Sequence, residues 1–484
     1  MYKIKSVKHN AIMNGILTIS KIIFPIITFP YISRTLLVEA NGRIAFASSV
    51  VSYFTMFAML GIVTYGVKAC AQVRDDRKKL SKVTQELLII NIVAMFISYL
   101  ALFAAVMFVD RFNDERILMA IFSFNIVLNV MGMEWLYSGL EQYDYITIRS
   151  VVFKFISMIL MFLFVHSPKD CYAYAVILVI STAGSNVLNL IHARKYVSFK
   201  PVGNYSIRRH MRPALTMFFT NLSVSVYMNL DNVMLGMLKT DYDVGIYHTA
   251  FKIKNVLTSL ITSVGTVLLP RLSYYVEDKK SDAYYKLLKK SLSIILYIAI
   301  PMVVYFTLFA RESVIFIAGR AYLDAVTPMK IIMPILLITG VSNVIGMQIL
   351  IPNNKENIFM RAVMSGAVTD LILNAILIPI YASTGAAIAT LCAEIVQFSV
   401  QLFYTKKIFL QIISLHEILK VLLCTIFASF GGYIMGMITD FNPFITLCIS
   451  AGTFGVIYMV LSLVIRVQIL REIIPFLNKV ERKK

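Results

Sequence analysis

Residues 14–34 read NGILTISKIIFPIITFPYISR. The stretch is long and apolar enough to cross a bilayer as a helix. Asn14, Thr18, Lys21, Pro25 and Thr28 recur at helical spacing and share one face. Isoleucine, leucine and phenylalanine occupy the rest, which suits lipid or neighbouring helices. A lysine inside a span costs roughly 2.5–3.5 kcal/mol on insertion scales, and such residues face a bundle interior or a wet cavity. Two readings of Lys21 follow: it lines an aqueous cavity, or it pairs with a buried carboxylate. The stripe of polar neighbours favours the cavity, because a lone ion pair has no use for it. Pro25 and Pro30 each remove a backbone donor and invite a bend. Arg34 closes the stretch, just before a short turn.

The rest of the chain agrees with a membrane setting. Of 484 residues, 58% are hydrophobic and 15% charged, and the mean hydropathy is +0.76. That composition describes an integral membrane protein. The net charge of +20 is therefore no nucleic-acid signature. Cys70, Cys171, Cys392, Cys424 and Cys448 stand singly, with no metal spacing and no disulfide framework. No small-residue cleavage site follows the first apolar run, which reads as a retained span.

Fourteen apolar segments of bilayer length are expected, at about 11–35, 43–67, 83–109, 115–138, 146–166, 171–192, 212–236, 245–270, 284–309, 324–350, 357–380, 382–404, 416–438 and 443–466. The loops between them are short. Basic residues crowd alternate loops: Lys68 to Lys82, Arg194 to Arg212, Arg271 to Lys290, and the tail from Arg466. Fourteen crossings place all of these on one side with the N-terminus, so both termini are expected in the cytoplasm. The opposite loops are sparse in charge, with Arg43, Arg111, Lys169 and Lys239.

An internal repeat is also expected. Asn14, Thr18 and Lys21 match Thr216, Thr220 and Ser223, and Gly42 matches Gly245. Asn129, Gly132 and Glu134 match Asn343, Gly346 and Gln348, and Asn186 and Asn189 match Glu394 and Gln397. Six spans per half make parallel copies, an arrangement of transporters. The expected division is an N-terminal six-helix bundle over 1–193, a cytoplasmic linker over 194–211, a C-terminal six-helix bundle over 212–405, and two further helices with a basic tail over 406–484.

Asp231 lies on the seventh segment, on the stripe Thr216, Thr220, Ser223, Tyr227. It would pair with Lys21 or Arg34, or take up a proton or sodium ion. Asp370 and Glu394 are further interior acids, and Lys252 a further cation near a helix start. Thus Lys21, Arg34, Asn14, Thr18, Thr28, Lys252, Thr220 and Tyr227 are candidate cavity residues, and Asp231, Asp370 and Glu394 candidates for ion coupling or gating. There is no phosphate-binding glycine loop with a lysine, no HExxH and no nucleophile elbow. No enzyme, cofactor or metal is expected.

These features resemble a known family. The local signs are Pro30-Tyr31-Ile32-Ser33-Arg34 with Gly42, Leu60-Gly61-Ile62 with Tyr65-Gly66, and Glu134-Trp135-Leu136-Tyr137 with Gly139-Leu140-Glu141. Asp231 before Leu235-Gly236, Pro270-Arg271, Asn374 with Pro379, and Gly385-Ala386-Ala387 before Glu394 complete the set. In this order on fourteen spans the chain resembles the bacterial polysaccharide, or O-antigen-type, flippases of the multidrug/oligosaccharidyl-lipid/polysaccharide exporter superfamily. One position departs: the glycine expected after Arg34-Thr35-Leu36 is Leu37.

The resemblance implies an all-α protein with two pseudo-symmetric six-helix bundles in a V shape, opening to one side at a time. It implies an undecaprenyl-diphosphate-linked oligosaccharide as cargo, a bacterial cytoplasmic membrane, H+ or Na+ coupling, and glycan polymerase and chain-length proteins as partners. Lys21, Arg34 and Lys252 would replace the hydration of the diphosphate, and Asn and Thr side chains would suit sugar hydroxyls. Rival expectations are a cation-coupled multidrug exporter, a lipid-linked peptidoglycan precursor flippase, and a membrane-embedded glycan polymerase.

Overall fold

The computed structural model describes residues 5–278, 280–438 and 442–473, and it is helical throughout with no strand among them. Nine helical stretches of the described residues are long and apolar enough to cross a membrane. A tenth forms if the bent pair Arg320–Ile332 and Ile335–Leu350, which turns by 44°, is one span. The protein is a multi-pass membrane protein. Two of the nine stretches, His9–Ala71 and Glu356–Ile412, have 63 and 57 residues. A straight helix of that length runs to about 90 Å, some three times the hydrocarbon thickness. The first is interrupted at Leu37 and again at Leu60 and Gly61, all with positive φ, and the second at Ala382. The first is therefore two arms and a short third helix, and the second two arms joined at a break.

The chain forms two compact units, residues 1–245 and 246–484. The first holds α1 (Val7–Met59), α2 (Ile62–Ala71), α3 (Arg77–Phe108), α4 (Asp110–Asp114), α5 (Arg116–Gly132) and α6 (Glu134–Gly139). It continues with α7 (Tyr143–Phe164), α8 (Cys171–Val179), α9 (Asn186–Ala193) and α10 (Arg208–Leu238), and ends in the first turn of α11 (Asp241–Glu277).

Helical structure in α1 continues through Pro25 and Pro30, and the departure falls at Leu37 with φ 63° and ψ −176°. The first arm of α1 lies parallel to α7. Thr147 Oγ1 donates to Met13 O (2.9 Å), Lys154 Nζ to Ser20 Oγ (2.8 Å) and Tyr31 OH to Val165 O (2.7 Å), each pair 134 positions apart. A constant separation over three contacts is the mark of two helices running the same way. The N-terminal end of α1 is tied by Lys5 and His9 to Asp144 and by Asn10 Nδ2, which donates to Glu141 at 3.2 Å. The second arm of α1 packs on α3, where Asn91 Nδ2 donates to Ala58 O at 2.8 Å.

The segment before α10 is clasped by α3. Gln85 Nε2 donates to Ser198 O (2.6 Å) and Lys200 O (2.9 Å). Glu86, fully buried, accepts from Ser206 N (2.6 Å), Arg209 Nη2 (2.5 Å) and His210 Nε2 (2.9 Å). A buried carboxylate is tolerated because its oxygens are filled by charged and backbone donors.

The second unit holds the rest of α11, then α12 (Ser281–Leu308), α13 (Ala310–Ile317), α14 (Val326–Ile332), α15 (Ile335–Asn343), α16 (Glu356–Ile412), α17 (Leu415–Ile438), α18 (Pro443–Val464) and α19 (Gln468–Ile473). α16 doubles back on itself at Ala382. A Cβ on Gly385 would lie 2.6 Å from the carbonyl carbon of Leu377, and one on Gly366 would lie 3.2 Å from Ala393 O. Residues 8 and 27 positions apart meet only if the arms are antiparallel. α17 and α18 form a hairpin on α12, where Tyr305 OH donates to Leu447 O (3.0 Å) and Tyr458 OH to Tyr297 O (2.8 Å).

The fourth and tenth expected segments break at matching places. α5 stops at Gly132, with Met133 left-handed, and a π-helical segment runs from Val344 to Leu350.

Candidate functional site

The first arm of α1 divides into three sectors. Leu17, Ser20 and Phe29 are buried and form the narrow side packed towards α7. Ile12, Ile16, Ile19, Ile23, Ile26 and Ile27 form an exposed apolar ridge. Between them runs the polar stripe, with Asn14, Thr18 and Lys21 exposed and Pro25 and Thr28 half-buried. The hydroxyls of Thr18 and Thr28 donate to the carbonyls of Asn14 and Phe24, both at 2.9 Å. Such backbonding satisfies the hydroxyl proton locally and leaves the oxygen lone pairs facing outward.

Lys21 is exposed, and no carboxylate pairs with it among the described residues. Another cation is held on the same part of α1. Lys154 of α7 donates to Ser20 Oγ at 2.8 Å and sits 5.8 Å from the centre of the Phe24 ring. Lys21 follows Ser20 directly in the chain and so shares the helical turn that anchors Lys154. Two like charges side by side within membrane spans are unfavourable unless an anion or water accompanies them. The ion-pair reading of Lys21 thus finds no carboxylate there, while the stripe and its exposure fit a wet surface.

Arg34 stands apart from this patch. It is exposed, but lies 13 positions beyond Lys21, about 20 Å along the axis and about 140° round it by ideal spacing. Asp231 is 3% exposed on α10, and its neighbour Asn232 donates to Ser49 Oγ at 3.2 Å. The side chains of Thr220 and Tyr227 lie outside the described residues.

In the second unit, Lys252 is half-buried in α11. Asp370 and Asn374 are fully buried one turn apart on the first arm of α16, and Thr390 and Glu394 are buried on the second. Tyr247 OH meets Thr390 Oγ1 at 2.8 Å, and Thr339 Oγ1 donates to Glu394 at 3.2 Å. No group of three or more His, Cys, Asp or Glu side chains able to hold a metal occurs among the described residues.

Lys154 does not stand out in the sequence. The only signal was a lysine within a span, and its value depends on the parallel register of α1 and α7. Nor does the sequence reveal an ion network at the far end of the first unit. Arg43 grips Glu115 with two bonds, Nε at 2.7 Å and Nη2 at 3.0 Å, and donates to Tyr172 OH at 3.1 Å. Arg111 donates to Gly236 O at 2.8 Å, pairs with Asp241, and stacks on Phe46 at 4.6 Å. Burial pushes the Asp241 carboxyl up from its ordinary value, and Arg111 opposes this.

Beside this network, α1 and the turn into α11 touch through glycines. A Cβ on Gly42 would lie 2.7 Å from the carbonyl carbon of Asp241, and one on Gly245 would lie 3.0 Å from that of Val38. Residues 38 and 42 stand to 241 and 245 at one spacing of 203 positions. The contact is therefore reciprocal, as at a two-fold axis.

The family model described as "Polysaccharide biosynthesis protein" matches residues 7–276, and the MatE model matches residues 216–376. A candidate O-antigen transporter of Escherichia coli strain K12 is 24% identical over 404 residues, covering 83% of this chain and 97% of that one. The capsular polysaccharide biosynthesis protein CapF of Staphylococcus aureus is 22% identical over 279 residues, 57% of this chain and 70% of that one. Among solved structures, the lipid II flippase MurJ in an inward closed conformation aligns with a TM-score of 0.76 at 16% identity, over 94% of this chain and 98% of that one. An inward-facing MATE-family multidrug transporter of the MOP superfamily aligns at 0.56 and 14% identity, over 81% and 98%. These structural likenesses speak to the fold.

Proposed function

The chain belongs to the polysaccharide biosynthesis protein family, and on that premise we propose that it is a flippase for undecaprenyl-diphosphate-linked oligosaccharides. It carries them across a bacterial cytoplasmic membrane by alternating access, for assembly of a surface polysaccharide. It is a translocator, in keeping with its relatives. A diphosphate head is anionic, and moving it through hydrocarbon unaided is prohibitive. The observation that supports this reading best is the polar stripe of α1, with Lys21 exposed inside a membrane span and joined by Lys154 in place of a carboxylate. Cations in such a place replace the counter-ions of a passing diphosphate. Asn14, Thr18 and Thr28 offer oxygens and an amide to sugar hydroxyls. Arg34 and Lys252 are assigned to the same path, with Thr220 and Tyr227 as their counterparts on α10.

We assign both termini to the cytoplasm, on fourteen crossings, with the division into two six-helix bundles and two added helices set out above. Asp231, Asp370 and Glu394 are assigned to ion coupling or gating with H+ or Na+, and a glycan polymerase and a chain-length protein are the expected partners in the membrane.

The test is export in a strain carrying Lys21→Ala. Surface glycan is lost while the protein remains inserted at wild-type level; normal surface glycan would remove the basis of the reading. The MatE match over residues 216–376 and the buried acids Asp370 and Glu394 also suit a cation-coupled multidrug exporter. Drug hypersensitivity of a deletion strain with intact surface glycan would select that alternative.

A further inference from the structure

Lys154 and Lys21 differ in how they are held. Ser20 Oγ donates to Leu17 O at 2.7 Å, so its lone pairs are what face Lys154, which donates to it at 2.8 Å. The Lys154 stem also runs beside Phe24, whose ring meets Phe155 edge-on at 4.9 Å. Lys154 is thus fixed by a neutral acceptor that leaves its charge intact and two of its three ammonium protons unused. Lys21, adjacent in sequence to Ser20, is exposed and has no restraint of this kind among the described residues. The constant register of 134 positions between α1 and α7 keeps the two side chains within one helical turn of each other. One cation is anchored and one is free to swing, and among the described residues no carboxylate pairs with either.

We propose that Lys21 and Lys154 act as two prongs of one phosphate reader, and that Lys154 is the residue that makes the site select a diphosphate head over a monophosphate head. This rests on the flippase reading above and adds a residue and a selectivity to it. A lysine contacts a phosphoryl group as a compact point charge. A single lysine holds one phosphoryl group of either lipid equally well. A second, fixed at the neighbouring position, gains a contact only when a second phosphoryl group is present. One charge-assisted contact is worth roughly tenfold or more in affinity.

The test uses the full-length protein in nanodiscs with two probes free of sugar, undecaprenyl diphosphate and undecaprenyl monophosphate, measured by competition against a fluorescent polyprenyl diphosphate. The wild type is expected to prefer the diphosphate by about tenfold or more. Lys154→Gln brings that ratio close to one with monophosphate binding little changed, and Lys154→Arg retains the preference. A preference kept in Lys154→Gln overturns the proposal. So does its equal loss in Lys154→Arg and Lys154→Gln, since shape and not charge would then be responsible. Equal binding of the two probes by the wild type overturns the selectivity alone and leaves the flippase reading standing. No binding of either probe by the wild type overturns both.

Discussion

Gly42→Ala adds one methyl group at the place where α1 meets the turn into α11. The new carbon would lie 2.7 Å from the carbonyl carbon of Asp241 and 2.9 Å from Gly245 N, both main-chain atoms. The carbonyl oxygen of Asp241 lies nearer still, and ordinary contact between heavy atoms is about 3.5 Å, so the backbone of the turn must retreat by more than about 1 Å. Overpacking of this kind costs roughly 1–3 kcal/mol. The same movement stretches the bond from Arg111 to Gly236 O from 2.8 Å beyond the useful range, and draws Asp241 from Arg111. Loss of a charge-assisted bond adds about 1.5–3 kcal/mol. The total is about 2.5–6 kcal/mol, enough to lower the unfolding temperature clearly.

Gly15→Ala is the control, because a Cβ there meets nothing within 4 Å. The same methyl group in an open helical position stabilises by roughly 1 kcal/mol through helix propensity. The assay is thermal unfolding of the two variants in one detergent, followed by intrinsic fluorescence. The variants must shift in opposite directions. Gly42→Ala unfolding at the wild-type temperature, or both variants moving the same way, would refute the close-approach argument.

Two more perturbations follow. Leu37 holds φ 63° and ψ −176° with its side chain exposed, a conformation that costs a non-glycine residue of order 1–3 kcal/mol; Leu37→Gly is expected to raise the unfolding temperature, and a lowered one would show that the arm junction carries no strain. Arg43 and Glu115 share a two-pronged pair with Glu115 4% exposed; a double-mutant cycle with Arg43→Ala and Glu115→Ala is expected to give a coupling of at least about 1.5 kcal/mol, and simple additivity would rule the pair out as a source of stability.

Much of the fold was legible because membrane physics leaves few choices. Apolar length is a property of local sequence, and the break at Ala382 falls where two expected segments, 357–380 and 382–404, part. The unusual residue at position 37 was visible too. Where the resembling family has glycine, the backbone here takes a φ that glycine favours, and the chain accepts it with leucine.

The site was legible only in part. The stripe of Asn14, Thr18 and Lys21 is a property of one helix, so spacing reveals it. Lys154 beside Lys21 is a property of two helices in register, and no pattern within either one encodes that register. The network of Arg43, Glu115, Arg111 and Asp241 was hidden for the same reason. In sequence those residues look like sparse loop charges that set orientation. Only when α1, α4 and the turn into α11 converge do they become partners.

The most direct measurement is the sidedness of a lipid-linked oligosaccharide diphosphate in proteoliposomes. The lipid is placed in both leaflets, and an impermeant reagent that destroys the sugar is added outside. With the wild-type protein the inner-leaflet pool becomes reactive as it exchanges outward, and with Lys21→Ala it stays protected. An inner pool that stays protected in the presence of folded wild-type protein would contradict the account.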